Sequence, residues 1–222
     1  MNKNILKRYV SSIDNNFDKE DFAERIFITI NRLLGDTKLY ELKSGIKLLD
    51  IGSGDGSFIK ICQKNNINSE GIDGSTTNIN FETDKLNYED NTFDVVTFLS
   101  VIEHINNPNN VIEEICRILK KGGLIITITP NFKYAYKNFY DDPTHLRPYT
   151  DKSIDKLMRI HKLTSIRTVP FLVNKSLLFW KIPFKFKIAS LLPLKNHHFK
   201  KLTFLNFLKG NSTAMINVSK KL

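Results

Sequence analysis

At 222 residues, with 41% hydrophobic and 25% charged residues, the chain is long enough for one well-buried α/β domain and short for two. Its two cysteines, Cys62 and Cys116, give neither metal-ligand spacing nor a disulfide framework, which excludes a secreted disulfide scaffold and fits a reducing compartment. The net charge of +10 is lopsided: residues 1–155 hold 19 Lys and Arg against all 23 Asp and Glu, a net −4, and the remainder holds 14 Lys and Arg with no acid, a net +14.

No apolar segment follows Met1–Arg8, so no secretory signal is read there. No run approaches the roughly 18 apolar residues of a spanning helix. A cytoplasmic location is expected, with peripheral attachment to a membrane face left open. Helical apolar spacing covers Phe17 to Leu34, with Asp14 or Asp18 as N-cap and Gly35 as its end. Ile46–Ile51 reads as the first strand, with a helix from Ser57 to about Asn65. Asn68–Ile72 is the second strand, ending at Asp73-Gly74-Ser75. The next strand is expected around Ile79–Thr83, after a crossover with room for about two helical turns. Phe93–Leu99 is a nearly continuous apolar run, as in a central parallel strand buried on both faces. A helix follows from Pro108 to Leu119, with Lys120 and Lys121 in its last turn before Gly122-Gly123. Leu124–Thr129, Leu163–Val169 and Thr213–Val218 complete the strands, and Asp151–His161 is one more helix. Alternating strands and helices predict a doubly wound sheet in a single domain. Its parts are a helical cap (1–44), a core (45–169), an insertion (170–210) and a last strand (211–222).

The chemistry-bearing stretch is Leu48-Leu49-Asp50-Ile51-Gly52-Ser53-Gly54-Asp55-Gly56-Ser57-Phe58, a buried strand breaking into a glycine-rich turn that opens a helix. A dinucleotide site needs G-x-G-x-x-G, and counting from Gly52 its third glycine position holds Ser57. That disfavours a nicotinamide oxidoreductase. The D-x-G-x-G-x-G pattern, Asp50 through Gly56, resembles the first motif of the class I S-adenosylmethionine (SAM)-dependent methyltransferases. Gly71-Ile72-Asp73, Asn91-Thr92-Phe93-Asp94-Val95-Val96, Leu99-Ser100-Val101-Ile102-Glu103-His104-Ile105 and Leu119-Lys120-Lys121-Gly122-Gly123-Leu124 are similar to that family's later landmarks, in the same order. The resemblance implies a Rossmann-like, seven-stranded α/β sheet with the last strand antiparallel, and SAM as cofactor. It implies SAM contacts from Asp50, Gly52, Ser53, Gly54, Gly56, Asp73, Gly74, Asp84, Ser100 and His104. Asp73 would take the ribose hydroxyls, and Asp84, closing the third strand, the adenine amino group. Glu103 and His104 have a second reading, as caps of the following turn.

Methyl transfer to a hydroxyl needs a base within reach of its proton. Tyr140-Asp141-Asp142-Pro143-Thr144-His145-Leu146-Arg147-Pro148-Tyr149-Thr150 follows the fifth strand and resembles a segment of bacterial methyltransferases of glycan and lipid biosynthesis. His145 is expected as general base, with Asp141 or Asp142 orienting it; alternatively Thr144 and His145 only shape the turn before the next helix. A divalent metal on Asp142, His145 and Glu103 is conceivable, but nothing in their spacing requires it, and none is assigned. Between Pro170 and Gly210 eight lysines and no arginine or acid interleave with Phe171, Phe179, Trp180, Phe184, Phe186, Phe199, Phe204 and Phe207. This suits an anionic membrane surface or a glycan or lipid-linked acceptor better than nucleic acid. The bland reading is that it covers a sheet edge. The expected function is O-methylation of a sugar, cell-surface glycan precursor or lipid-linked metabolite. The alternatives are an RNA methyltransferase and a non-catalytic SAM- or membrane-binding accessory protein.

Overall fold

The computed structural model describes residues 19–37, 41–172, 181, 183–191, 194–195 and 209–222. In chain order these form α1 (Lys19–Thr37), β1 (Lys47–Ile51), α2 (Ser57–Lys64), β2 (Asn68–Ile72), β3 (Phe93–Leu99), α3 (Asn109–Ile118), β4 (Leu119–Pro130), α4 (Phe132–Ala135), α5 (Asp151–Ile160), β5 (Leu163–Pro170), α6 (Lys185–Leu191), β6 (Leu194–Lys195), β7 (Lys209–Asn211) and β8 (Ala214–Lys221). The main sheet has the order β2-β1-β3-β4-β8-β5. Its first four strands are parallel. β8 slots antiparallel between β4 and β5, as expected of the last strand.

Among the described residues this sheet has six strands, not seven. The strand expected near Ile79–Thr83 does not form, because its backbone groups are spent locally. Asn80 N–H donates to the Asp84 carboxylate at 2.8 Å, and Asp84 N–H returns to the Asn80 carbonyl at 2.8 Å. Asp84 therefore closes a tight turn, and β2 is left as the sheet edge. Two other boundaries move. α1 runs through Gly35 and closes at Thr37, whose hydroxyl bonds the Leu34 carbonyl at 2.7 Å. α3 stops at Ile118, so Lys120 and Lys121 start β4 instead of ending the helix. Lys120 there pairs with Asp94 at 2.8 Å across a register shift between Phe93 and Val95.

Side chains alternate across the sheet, so neighbours such as Leu48 and Leu49 enter different cores. Leu48, Ile126 and Val218 pack under α1 through Ile30, Leu33 and Leu34. Leu49, Val96 and Ile125 pack under α3 and α5 through Ile112, Ile115 and Ile154. Each such side chain contributes about 1.5–3 kcal/mol on burial. The register pairs Ile51 with Ile72 and Phe98, and Phe98 with Thr127, so the parallel strands end along one edge. That edge carries the site. Within the predicted insertion Phe171 and Leu172 are buried and α6 is formed. Phe179, Trp180, Phe199, Phe204 and Phe207 lie outside the described residues, as do Asp14 and Asp18.

Candidate active site

The turn after β1 is a backbone device. Gly52 has φ +78°, and a Cβ there would lie 2.2 Å from Val101 Cγ2, so both conformation and packing require glycine. Gly52 and Ser53 N–H donate to the Ile72 carbonyl at 2.7 and 3.1 Å, tying the turn to β2. A Cβ on Gly71 would strike Ser53 at 2.6 Å, which holds strand and turn in contact. Gly54 (φ +53°) and Gly56 (φ +77°) differ from Gly52, since a Cβ on either would meet no atom within 4 Å. Their side of the turn is open. Asp73 stands at its rim, its carboxylate accepting from Gly54 N–H at 3.1 Å and Ser75 N–H at 2.9 Å. Gly74 follows in the same turn, where a Cβ would sit 3.1 Å from the Ile79 carbonyl. Asp50 lies beneath, 2% exposed, accepting from Thr97 Oγ1 at 2.7 Å. Burial, reinforced by the Asp73 charge, pushes its carboxyl up to about 7 against the Thr97 hydrogen bond. Asp84 is exposed, its carboxylate taken up by Asn80 N–H and Thr83 Oγ1 of its own turn at 2.8 and 2.9 Å.

A second cluster occupies the ends of β3 and β4. Ser100 turns the chain with φ +54°, a strained value for a residue with a Cβ, and its N–H bonds the Ile128 carbonyl at 2.8 Å. Val101 then meets Gly52, and Glu103 and His104 follow in a short 3-10 turn. The segment before α5 folds back on them: Leu146 and Arg147 N–H donate to the Glu103 carbonyl at 2.8 and 3.0 Å. This sets the His104 and His145 rings 4.9 Å apart. His145 Nδ1 lies 2.6 Å from the Phe139 carbonyl, which can only accept, so Nδ1 carries the proton and Nε2 the lone pair. Nε2 faces Asp142 Oδ2 at 3.7 Å. Asp142 Oδ1 accepts from Thr144 N–H and Oγ1 at 2.8 and 2.6 Å. With its hydrogen engaged there, Thr144 Oγ1 accepts from His104 Nδ1–H at 2.8 Å, beside the Thr144 carbonyl at 3.1 Å. Burial lowers the His104 pKa. Asp141 is exposed and pairs with the Asn138 amide at 2.8 Å, so of the two predicted acids Asp142 is the one beside His145. Glu103 is 1% exposed and burial pushes its carboxyl up to about 7.

A family model described as a methyltransferase domain matches residues 19–166. The chain belongs to the class I SAM-dependent methyltransferases. It is 30% identical over 105 residues to a ubiquinone biosynthesis O-methyltransferase of Maricaulis maris, a match covering 39% of this chain and 41% of that one. The chain thus spans about two fifths of that relative's length. An uncharacterised protein of Methanocaldococcus jannaschii is 29% identical over 71% of this chain and 77% of its own. In fold, the chain superposes on a SAM-dependent methyltransferase from Archaeoglobus fulgidus with a TM-score of 0.56 at 19% identity, covering 89% and 94% of the two chains.

SAM is this methyltransferase's cofactor, and the residues fit it. Gly54 and Gly56 face open space with the Asp73 carboxylate at its rim. Several contributors were not legible in the sequence. Thr97 holds Asp50, Val101 seats Gly52, and Thr144 links Asp142 to His104. Glu82 receives Asn106 and Asn107 N–H at 3.3 and 3.1 Å, bracing the loop beyond His104. Val101 and Thr144 lie inside the motif segments quoted above, but nothing local shows what they touch; Thr97 and Glu82 lie in none of those segments. A separate cleft of about 370 Å³, lined by Tyr134, Asp151, Asp155, Thr168, Lys185 and Phe186 among others, contains none of the residues of either cluster.

Proposed function

We propose that this methyltransferase methylates an oxygen of a sugar, a cell-surface glycan precursor or a lipid-linked metabolite, with His145 removing the acceptor's proton. The observation that carries the reading is the wiring of His145: Nδ1–H is committed to the Phe139 carbonyl at 2.6 Å, which leaves a basic Nε2 with the Asp142 carboxylate 3.7 Å away. A hydroxyl must lose its proton as it attacks, and a positioned imidazole supplies that at neutral pH. Asp142 stabilises the imidazolium that forms. SAM supplies a methyl group on a cationic sulfonium, a good leaving group, so alignment of the acceptor is the remaining task of the protein. Gly52, Ser53, Gly54, Gly56, Asp73 and Gly74 would hold the cofactor, with Asp50 stiffening the turn from below. Ser100 and His104 would line the passage between the two clusters, and Asp84, exposed at the outer turn, would reach the adenine end. The acid-free basic stretch supports an anionic or membrane-borne acceptor.

Transfer of labelled methyl groups from SAM to a panel of sugar, glycan-precursor and lipid-linked acceptors tests the reading. Label in an oxygen-linked methyl, lost in His145→Ala with SAM affinity kept, is the expected result. Label entering RNA alone, with strong salt dependence, would replace it by the nucleic-acid reading.

A further inference from the structure

Glu103, His104 and His145 form a cluster whose chemistry exceeds that of a base and its partner. One carboxylate oxygen and one ring nitrogen from each histidine lie within 4.8 Å of one another. We propose that this cluster binds one divalent transition-metal cation of the zinc type, through Glu103, His104 and His145. The first support is an unpaired buried oxygen. Glu103 Oε2 has no hydrogen bond of ordinary geometry to a described residue, though Glu103 is only 1% exposed; the Thr129 hydroxyl lies near enough to favour the ionised carboxylate without closing that bond. Buried polar atoms are nearly always satisfied, and one left over points to a missing partner.

The second support is the outer wiring of the two imidazoles. Each points its Nδ1 at oxygens that accept, the Phe139 carbonyl for His145 at 2.6 Å and the Thr144 hydroxyl oxygen and carbonyl for His104 at 2.8 and 3.1 Å. Both rings are thereby held in the tautomer whose Nε2 lone pair is free, the arrangement that orients histidines toward a metal. Two imidazoles and a carboxylate suit a zinc-like cation, whereas magnesium and calcium favour all-oxygen shells. A cation about 2.0–2.2 Å from each donor would bring the donors to about 3.5 Å apart, closer than the 4.8 Å within which they lie here. The Asp142 carboxylate, 3.7 Å from His145 Nε2, adds negative charge beside the site.

This deepens the reading of the cluster as the acceptor's binding place, and rests on it only for what the ion does. A cation with an open position would hold an acceptor hydroxyl and make it more acidic, the task His145 performs when no ion is bound. The full-length protein, stripped of metal by dialysis against EDTA, is titrated with CoCl2 and followed by its visible absorption. The expected result is a band saturating at one equivalent, displaced by Zn²⁺ but not by Mg²⁺. Glu103→Gln and His104→Ala each weaken Co²⁺ binding by about tenfold or more, while Asp73→Ala keeps it. Thermal unfolding of the same variants identifies any that have failed to fold. No band in the wild-type protein, or a band unchanged in both Glu103→Gln and His104→Ala, overturns the proposal. A cobalt band in a protein that takes no SAM would uphold the metal site and reject the transfer reading.

Discussion

The glycine turn after β1 and the histidine–acid cluster after β3 share one sheet edge, yet they are made of different material. In the turn the working parts are backbone: three positive-φ glycines, N–H groups aimed at Ile72 and Asp73, and open space where side chains would stand. In the cluster they are side chains from two loops some 40 residues apart, locked by hydrogen bonds to carbonyls. On the proposed reading, the turn should fail when its conformation is blocked, and the cluster when a proton or lone pair is removed. Val101 against Gly52 is where the two meet.

That contrast can be broken most severely at the contact itself. Gly52→Val places a branched side chain at φ +78° and on Val101, so it should cost about 2–5 kcal/mol of stability and abolish SAM binding and activity together, read by thermal unfolding and calorimetry. His145→Ala should separate the halves, lowering kcat by about 10²–10⁴ while the SAM dissociation constant stays within about threefold. Smaller still is the acid pair. Asp142→Asn should lower kcat by about tenfold, and Asp141→Asn, exposed and paired with Asn138, should stay within about twofold.

A pH series sharpens the comparison from the turn's side. Asp50 has a folded pKa raised to about 7 from 3.8, so the folded state holds its proton longer than the unfolded state does. Stability contributed by neutral Asp50 is full below about pH 4 and is lost as pH rises toward 7. Asp50→Asn keeps an acceptor for Thr97 without the charge. Its melting temperature should exceed that of the wild type at pH 8, by an amount corresponding to on the order of a few kcal/mol, and the gap should close at pH 4.

How far each half could be read from the sequence follows from its material. The glycine turn is contiguous, so D-x-G-x-G-x-G revealed strand, turn, helix and cofactor together. Apolar runs locate β1 and β3 to within a residue, and β2, Asn68–Ile72, falls where it is expected although its sequence is mostly polar. The third strand was misread because Ile79 and Phe81 look strand-like, while the Asn80–Asp84 turn bonds that prevent pairing leave no apolar signature. The segment around His145 could be recognised, but not its geometry. Asp141 and Asp142 are adjacent in sequence, and the bonds from Thr144 hold the second one inward. Glu103 and His104 could equally have been helix caps, because their closeness to His145 arises from Leu146 and Arg147 bonding back to the Glu103 carbonyl.

The most direct measurement is a calorimetric titration of SAM into the wild-type protein, Asp73→Ala and His145→Ala. The account predicts one SAM bound by the wild type, affinity lowered by about thirtyfold or more in Asp73→Ala, and affinity nearly unchanged in His145→Ala. No binding to the wild type, or equal losses in the two variants, would contradict a cofactor site held by the turn and a separate cluster for the acceptor.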